Sequence, residues 1–284
     1  MSQLPSTLIA SNQSQFIWGS RTYIMGILNV TPDSFSDGGE FNQRESALRQ
    51  ALFMSENGAD IIDIGGQSTR PGATQISLDE ELSRVIPIIE AIRQHSQITI
   101  SVDTTVAEVA ERAIAAGANI INDVSGATFD EQMLVTAAQL QVPIILMHIR
   151  GTPQTMQSLT NYQNLIVDIS NFLQQQVKKA ITLGIKPENI ILDPGIGFAK
   201  DATQNIQLIQ KLAEFKKLNC PLLIGVSRKS FIGKIINQDS PKARVWGTAA
   251  ANTAAIAMGA DILRVHDVAQ MYDVARVADA IWRS

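Results

Sequence analysis

The stretch GADIID (Gly58–Asp63) decides the fold, because the chain repeats its pattern as GANIIND (Gly117–Asp123) and GADILR (Gly259–Arg264). Each copy begins with a glycine suited to ending a helix, then passes through a short turn into a run of apolar residues and a polar residue. Stretches with apolar residues three and four positions apart, such as Leu78–His95, lie between the copies. The repeat therefore predicts short strands that alternate with helices.

Eight apolar runs occur along the chain, and each is followed by a plausible helix. They are Tyr23–Val30, Asp60–Ile64, Ile98–Val102, Asn119–Ile121, Val142–Met147, Asn189–Leu192, Pro221–Val226 and Ile262–Val265. Short runs that are apolar on both faces predict parallel strands covered by helices. Eight such units in about 250 residues fit a closed barrel better than an open sheet. We therefore predict an α/β fold: one domain, a single (β/α)₈ TIM barrel over residues 23–284, with an N-terminal β-hairpin in residues 1–22 that caps the barrel bottom.

The composition excludes several classes of protein. The 284 residues include 23 basic and 27 acidic side chains, for a net charge of −4, and no basic cluster suggests a nucleic-acid groove. No apolar run approaches the ~20 residues that span a bilayer, and the first residues lack a signal-peptide pattern. The single cysteine, Cys220, excludes an internal disulfide, and we expect its thiol to be buried and inert. We expect a cytoplasmic protein that binds neither nucleic acid nor membrane.

Each predicted strand ends on a polar group, and in a barrel these ends converge on the face that carries the chemistry. The groups are Asn29, Asp63, Asp103, Asn122 with Asp123, His148, Asp193, Ser227 to Lys229, and Arg264 with His266 and Asp267. Any one of them alone could be a helix cap. Eight strand ends of this kind, including an Asp-Pro-Gly and a Ser-Arg-Lys segment, are harder to explain as caps. We therefore predict a functional site at the C-terminal ends of the strands.

The residue types at these ends suit a flat heterocycle. Asp103, Asn122 and Asp193 can accept hydrogen bonds from adjacent N–H groups, as on a 2-amino-4-oxo-pyrimidine ring. Lys229 can donate to a carbonyl or ring nitrogen, and Arg264 can stack on a ring face while it binds an anion. Three acceptors with two cations describe a polar aromatic ring better than a sugar or an acyl chain.

A second group of residues suits an anion. Asn29, Arg70 and His266 fit phosphate oxygens, or an Mg²⁺ ion that carries them. The chain has no P-loop pattern and no nucleophilic triad, and its three histidines have no zinc-binding spacing. Two long loops rich in Gly, Pro, Ser and Asp, Thr31–Phe41 and Gly65–Ser77, follow the first two strands, and we expect them to act as lids that exclude water.

Eight segments resemble the dihydropteroate synthase family in order and spacing: GILNVTPDSFSDGG, DIGGQSTRPG, SVDT, INDVSG, MHIRGTPQTMQ, ILDPGIGF, GVSRKSFIG and RVHDV. The resemblance runs from about Met25 to Val268. It implies a transferase of folate biosynthesis that condenses 6-hydroxymethyl-7,8-dihydropterin diphosphate with 4-aminobenzoate and releases diphosphate. It also implies inhibition by sulfonamides, which mimic the aminobenzoate.

The resemblance assigns a role to each site residue. It implies pterin contacts from Asp103, Asn122, Asp193, Lys229 and Arg264, and diphosphate contacts from Asn29, Thr69, Arg264 and His266, with Mg²⁺ held at Asn29. It implies that 4-aminobenzoate lies among Phe35, Thr69, Pro71, Phe198 and Ser230, and that catalysis depends on Arg70, Lys229, Arg264 and His266. The implied mechanism is a Mg²⁺-assisted, dissociative (SN1-like) displacement without a protein nucleophile, in a homodimer formed through the last helices.

Three positions depart from the family pattern: Gln67 replaces a common Glu, Val106 a frequent Lys, and Ala199 a common Gly. We expect them to affect loop behaviour or affinity and not the type of reaction. One alternative is a pterin-binding methyltransferase that serves a corrinoid, which would not explain Ser227 to Lys229 or the STRPG loop. Another is a non-catalytic pterin-binding paralogue, which Gln67 and Val106 favour and the intact Asn29, Arg70, Lys229 and His266 oppose.

Overall fold

The computed structural model of the chain describes residues 7–31, 40–70 and 72–283. Two short antiparallel strands come first, β1 (Thr7–Ile9) and β2 (Gln15–Ile17). Eight parallel strands follow: β3 (Tyr23–Asn29), β4 (Ile61–Gly65), β5 (Thr99–Asp103), β6 (Ile120–Asp123), β7 (Ile144–Met147), β8 (Ile190–Asp193), β9 (Leu223–Ile224) and β10 (Ile262–Val265). The predicted hairpin and the eight predicted strands are therefore confirmed, although regular pairing in β9 covers only part of Pro221–Val226.

The eight parallel strands close into a barrel. In the sheet, β3 pairs with β4 on one side and with β10 on the other, and the order runs from β8 through β3 to β9. A parallel bridge between Leu192 and Leu222, with the Leu192 amide donating to the Pro221 carbonyl at 2.9 Å, joins β8 to β9. The predicted TIM barrel is confirmed by this topology.

Helices cover the outside of the barrel: α1 (Glu40–Glu56), α2 (Leu78–His95), α3 (Ala107–Ala115), α4 (Met133–Leu140), α5 (Leu165–Thr182), α6 (Ala202–Gln210), α7 (Ser230–Ile236), α8 (Val245–Ala257) and α9 (Val268–Trp282). Helix α2 has the predicted bounds, Leu78–His95. None of the helices in the described ranges has the length and apolar character needed to span a membrane.

The repeated segment performs the same structural task three times at the N-terminal end of the barrel. Its glycines adopt left-handed backbone, with φ of +100° at Gly58, +117° at Gly117 and +95° at Gly259, which favours glycine. The third residue of each copy then accepts a backbone N–H from a neighbouring chain segment: Asp60 from Ile24 at 2.8 Å, Asn119 from Ile100 at 2.9 Å and Asp261 from Leu222 at 2.9 Å. The repeat therefore fixes the starts of strands by hydrogen bonds at the end of the barrel that lies opposite the predicted site.

Side chains alternate between the two faces of each strand and form two cores. Outward residues such as Ile62 and Ile64 pack against the helices in a large outer core. Inward residues near the strand starts, including Met25, Ile61 and Ile145, pack with Leu8 and Phe16 of the hairpin, which closes the barrel bottom. Nearer the C-terminal ends, most of the inward positions are polar. The buried Cys220 belongs to the outer core, and burial raises the pKa of its thiol to about 12, as an inert thiol requires.

Candidate active site

The alternation that builds the two cores also points the predicted ring-binding residues inward. Asp63 lies between the outward Ile62 and Ile64 of β4, and register pairs Asp103 with Asn122 on the adjacent strands β5 and β6. Asp193 ends β8, and Arg264 lies on β10 beside Met25 of β3. Five polar side chains from five strands therefore meet inside one end of the barrel.

Arg264 is the centre of this cluster. Its Nε donates to Asp63 Oδ2 at 2.6 Å, and its Nη2 donates to Asp103 Oδ2 at 2.7 Å. Asn122 Nδ2 donates to the same Asp63 oxygen at 3.1 Å. The structure thus brings together Asp103, Asn122 and Arg264, as predicted, and adds Asp63 as the residue that links them.

The two carboxylates that bind Arg264 each keep one oxygen that can accept a further hydrogen bond. Within the described residues, Asp63 Oδ1 and Asp103 Oδ1 are buried and have no hydrogen-bond donor. Burial raises the pKa of Asp103 to about 7, against the opposing charge of Arg264. A buried, unpaired acceptor is costly unless a ligand supplies a donor, so Asp103 Oδ1 is well suited to a ring N–H.

Asp193, Lys229 and Phe198 form the opposite wall. Asp193 Oδ1 accepts the Gly195 N–H at 2.6 Å, and burial raises the pKa of this carboxyl to about 6. Lys229 Nζ lies 4.3 Å from the centroid of the Phe198 ring, and burial lowers the pKa of Lys229 to about 8. The wall offers an acceptor, a cation and an aromatic face to a planar ligand.

His266 lies at the end of β10, next to the guanidinium groups. Ser227 Oγ accepts the backbone N–H of His266 at 3.1 Å and lies 2.9 Å from its Nδ1. Because Oγ accepts that N–H, it can donate its own proton to Nδ1, and the remaining imidazole proton then sits on Nε2 as a donor. Burial, Arg228, Arg264 and Arg70 lower the pKa of His266 to about 3, so the ring is neutral. Arg70 of the second loop is one of the cations whose charge lowers this pKa.

Two charged neighbours of the site have structural partners. Arg228, whose φ is +58°, donates from Nε and Nη2 to the two carboxylate oxygens of Asp267 at 2.9 and 2.5 Å. This pair fastens the Ser-Arg-Lys segment after β9 to the His-Asp segment after β10. It therefore positions Lys229 and His266 relative to each other.

Asn29, the last residue of β3, carries a side-chain amide at the end of that strand. It is partly buried and lies beside Gly65 in the β3–β4 register, with Gly65 paired to Asp103. No group of three His, Cys, Asp or Glu side chains in the described part of the chain could hold a metal ion. Mg²⁺ is usually held by one or two protein oxygens together with substrate phosphates and water. A single Asn oxygen next to an anion site fits that mode of binding.

The second loop is tied down at two places. Its base is closed by the Ile76 N–H, which donates to Gln67 Oε1 at 3.3 Å. Its tip contacts the segment after β7, where Gly72 N–H donates to the Pro153 carbonyl at 3.0 Å and Gln154 Nε2 donates to the Ala73 carbonyl at 2.6 Å. The amide oxygen of Gln67 thus accepts a hydrogen bond within the loop. This bond does not require a negatively charged side chain at position 67.

The remaining predicted residues are only partly placed. Thr69 is partly buried and Arg70 is exposed in the second loop, and Ser230 is the exposed first residue of α7, next to Lys229. Ser230 also lines a cavity of about 190 Å³, together with Lys200, Asn205 and Phe231. Phe35, Pro71 and most of the first loop lie outside the described residues.

Sequence reasoning gave no role to the buried pair formed by Lys200 and His148. Lys200 Nζ lies 3.1 Å from His148 Nδ1 and donates to the Phe198 carbonyl at 2.7 Å. His148 therefore belongs to a packed cluster next to Phe198 and the wall that it forms with Asp193 and Lys229. Asp123 is also structural, because it points out of the barrel and accepts from Ser125 and from the Ala127 amide. The outward direction of Asp123 follows from strand alternation, but no sequence signal pairs Lys200 with His148.

Known proteins resemble this chain over nearly its whole length. A family model described as pterin binding enzyme matches residues 25–266. A dihydropteroate synthase of Synechocystis sp. is 62% identical over 271 residues, which cover 95% of this chain and 94% of the relative. Dihydropteroate synthase of Clostridium difficile, solved in the presence of pteroic acid, is 46% identical with a TM-score of 0.89, covering 94% of this chain and 99% of that chain. The Yersinia pestis synthase, solved with a sulfonamide drug, is 41% identical with a TM-score of 0.91, covering 98% and 100%.

Proposed function

Because the chain belongs to the dihydropteroate synthases, transferases of the pterin-binding enzyme family, we propose that it joins 6-hydroxymethyl-7,8-dihydropterin diphosphate to 4-aminobenzoate. The products are 7,8-dihydropteroate and diphosphate. The observation that carries the proposal is the buried set of acceptors, Asp103, Asn122 and Asp193, that faces Lys229 inside the barrel mouth. A 2-amino-4-oxo-pyrimidine ring carries adjacent N–H donors and a carbonyl acceptor, which complement this set.

The pterin ring lies among these groups in our proposal. Asp193 and Asp103 Oδ1 accept ring N–H groups, Asn122 contributes its amide, and Lys229 donates to the ring carbonyl or a ring nitrogen. Arg264 covers one face of the ring while it keeps its bonds to Asp63 and Asp103. Each buried acceptor that gains a donor removes an unfavourable unpaired group, so recognition of the ring is specific.

The diphosphate lies at the ends of β3 and β10 in our proposal. Arg264 and the Nε2–H of His266 donate to its oxygens, and Thr69 donates from the second loop. Asn29 would hold Mg²⁺, which when bound neutralises charge on the diphosphate leaving group. Arg70, at the tip of the second loop, adds a cation on the solvent side of the same anion.

We propose that 4-aminobenzoate enters last and lies against Phe198 and Ser230, with Thr69, Phe35 and Pro71 completing its surroundings. Sulfonamides would bind in the same place, as mimics of the aminobenzoate. The Lys229 side chain is packed over the Phe198 ring and so separates the pterin from this second position.

The reaction that these groups support is dissociative. The bond between the methylene carbon and the diphosphate oxygen breaks, and both electrons leave with the diphosphate, which Arg264 and His266 stabilise by hydrogen bonds. The electron-rich dihydropterin ring delocalises the positive charge left on the methylene. The arylamine nitrogen then forms the new C–N bond and loses a proton. Closed loops exclude water, which would otherwise capture the cation.

We also propose that the protein is a homodimer through its last helices. Four large apolar side chains are exposed on α8 and α9: Trp246 at 76%, Val277 at 62%, Ile281 at 60% and Trp282 at 58%. Large apolar side chains exposed along both helices support an interface between subunits there. Light scattering should give twice the chain mass for the wild type and a monomer for Trp246→Glu combined with Ile281→Glu; a wild-type monomer would contradict this proposal.

The function is tested by incubating the purified protein with both substrates and Mg²⁺ and measuring dihydropteroate and diphosphate. We expect the two products in equal amounts, a rate that falls when Mg²⁺ is chelated, and competition between a sulfonamide and 4-aminobenzoate. Pterin binding without turnover would instead identify a non-catalytic paralogue. Methyl transfer from a methylated folate to a corrinoid would identify the methyltransferase alternative.

A further inference from the structure

Asp63 links residues from different strands in the barrel mouth. Its side chain is fully buried, and one oxygen, Oδ2, accepts from both Arg264 Nε at 2.6 Å and Asn122 Nδ2 at 3.1 Å. Asp63 lies on β4, whereas Arg264 lies on β10 and Asn122 on β6, each two strands away in the sheet order. One carboxylate therefore connects three non-adjacent strands across the inside of the barrel.

We propose that Asp63 is a positioning residue that presets Arg264 and Asn122 for the ligand, an inference that rests on the proposed function. Its effect on Asn122 is directional. The amide nitrogen is held against the carboxylate, and a flipped amide would bring its oxygen against a negative charge. Asp63 thus fixes Asn122 Oδ1 as the amide atom available to the ring.

The effect on Arg264 is both directional and electrostatic. Bonds from Nε to Asp63 and from Nη2 to Asp103 fix the guanidinium plane, and neither bond uses Nη1, which can donate to an incoming anion. When a ring N–H engages Asp103, Asp63 still compensates the buried charge of Arg264. A guanidinium held in this way needs little reorganisation as charge develops on the departing diphosphate.

The test compares Asp63→Asn and Asp63→Ala with the same changes at Asp123, a control that is equally buried but points out of the barrel. Asn keeps one acceptor oxygen without the charge, and Ala keeps neither. We expect turnover to fall about tenfold for Asp63→Asn and on the order of 100-fold for Asp63→Ala, because displaced catalytic groups lose rate steeply. The Asp123 variants should retain turnover once folded, as judged by circular dichroism.

A double-mutant cycle with Arg264→Lys distinguishes the loss of Arg264 positioning from a general loss of structure, because it compares the effect of Asp63→Asn on turnover in two backgrounds. Lysine cannot make the Nε bond, so adding Asp63→Asn to Arg264→Lys should cost much less than adding it to the wild type. Equal losses on both backgrounds, or Asp63 variants that match the Asp123 variants, would overturn the inference. An inactive wild type would instead contradict the proposed function. If Asp63→Ala does not fold, the cycle with Asp63→Asn still decides the question.

Discussion

Arg264 Nη2 and Asp103 Oδ2 lie 2.7 Å apart inside the barrel mouth, although 161 residues separate them in the chain. This ion pair occupies one oxygen of a carboxylate and leaves the other buried without a donor in the described structure. The described residues therefore leave a hydrogen-bond acceptor that a ligand with N–H groups would satisfy. The following predictions depend on this relationship and on the elements that support it.

Ring binding should weaken in acid. Burial raises the pKa of Asp103 to about 7 and that of Asp193 to about 6, so both carboxylates accept hydrogen bonds fully only above pH 7. Their charged neighbours are Arg264, Asp63, Glu81 and Asp123 for Asp103, and Lys229, Lys200 and Arg264 for Asp193. Calorimetric titration with pteroic acid should show Kd rising up to about tenfold per pH unit for each proton taken up below pH 7. A Kd that is constant from pH 5 to pH 8 would refute this.

Removing the cation of the second loop should affect turnover more than ring binding. Arg70 is exposed and its charge acts on His266, whereas the proposed ring contacts come from the barrel strands. We expect Arg70→Ala to reduce kcat by at least about tenfold with less than a threefold change in pteroic acid affinity. Arg49→Ala, on the exposed face of α1, is the matched control. Equal losses in kcat and affinity would make Arg70 an ordinary ligand of the ring substrate.

The Gln67 amide should brace the second loop as well as a carboxylate does. Gln67 Oε1 accepts from the Ile76 N–H at 3.3 Å, and Glu offers an oxygen at the same position. We expect Gln67→Glu to keep kcat within about threefold of the wild type, since one neutral hydrogen bond contributes about 1 kcal/mol. Gln67→Ala should lower kcat several-fold and speed proteolysis within residues 66–77. An unchanged Gln67→Ala enzyme would show that this bond does not order the loop.

The repeat at the barrel bottom should matter for stability and not for chemistry. Asn119 Oδ1 accepts from the Ile100 amide and from Arg93, and its Nδ2 donates to Ser11 at 2.8 Å. Asn119→Ala leaves a buried N–H unpaired, so urea titration should show a loss of about 1–3 kcal/mol in unfolding free energy. Asn57→Ala, a control at a partly exposed position near the end of α1, should lose less than about 0.5 kcal/mol. If both variants lose the same stability, the hydrogen bonds of Asn119 do not contribute measurably to the stability of the fold.

The sequence predicts the barrel well because strand and helix periodicities are local. The three glycines of the repeat and the helix α2 lie where the pattern puts them. The inward direction of Asp103 and Asn122 follows from the alternation along β5 and β6. The residues that these strands deliver also predict the chemical type of the ligand, which the binding experiments test.

Other features depend on contacts between distant segments, which no local pattern encodes. The bridge by which Asp63 joins Arg264 to Asn122 exists only after the barrel closes. The pairing of Lys200 with His148 likewise requires the loops after β7 and β8 to pack together. Ala199 adopts a φ of +51° although it has a side chain, and its buried methyl group packs in a small core with neighbouring residues. In the sequence, the only sign of this position is that an alanine stands where the family commonly has a glycine.

The most direct test of ring recognition in the barrel mouth is pteroic acid binding to the wild type and to Asp193→Ala, measured by calorimetry at pH 8. Asp193→Ala removes a buried acceptor, and an unpaired ring edge would cost about 1–3 kcal/mol or more. We predict one site per chain in the wild type and at least a tenfold weaker Kd in the variant, while Asp168→Ala, on the outer helix α5, binds normally. Unchanged affinity in Asp193→Ala would contradict the account, because the ring would then lie elsewhere.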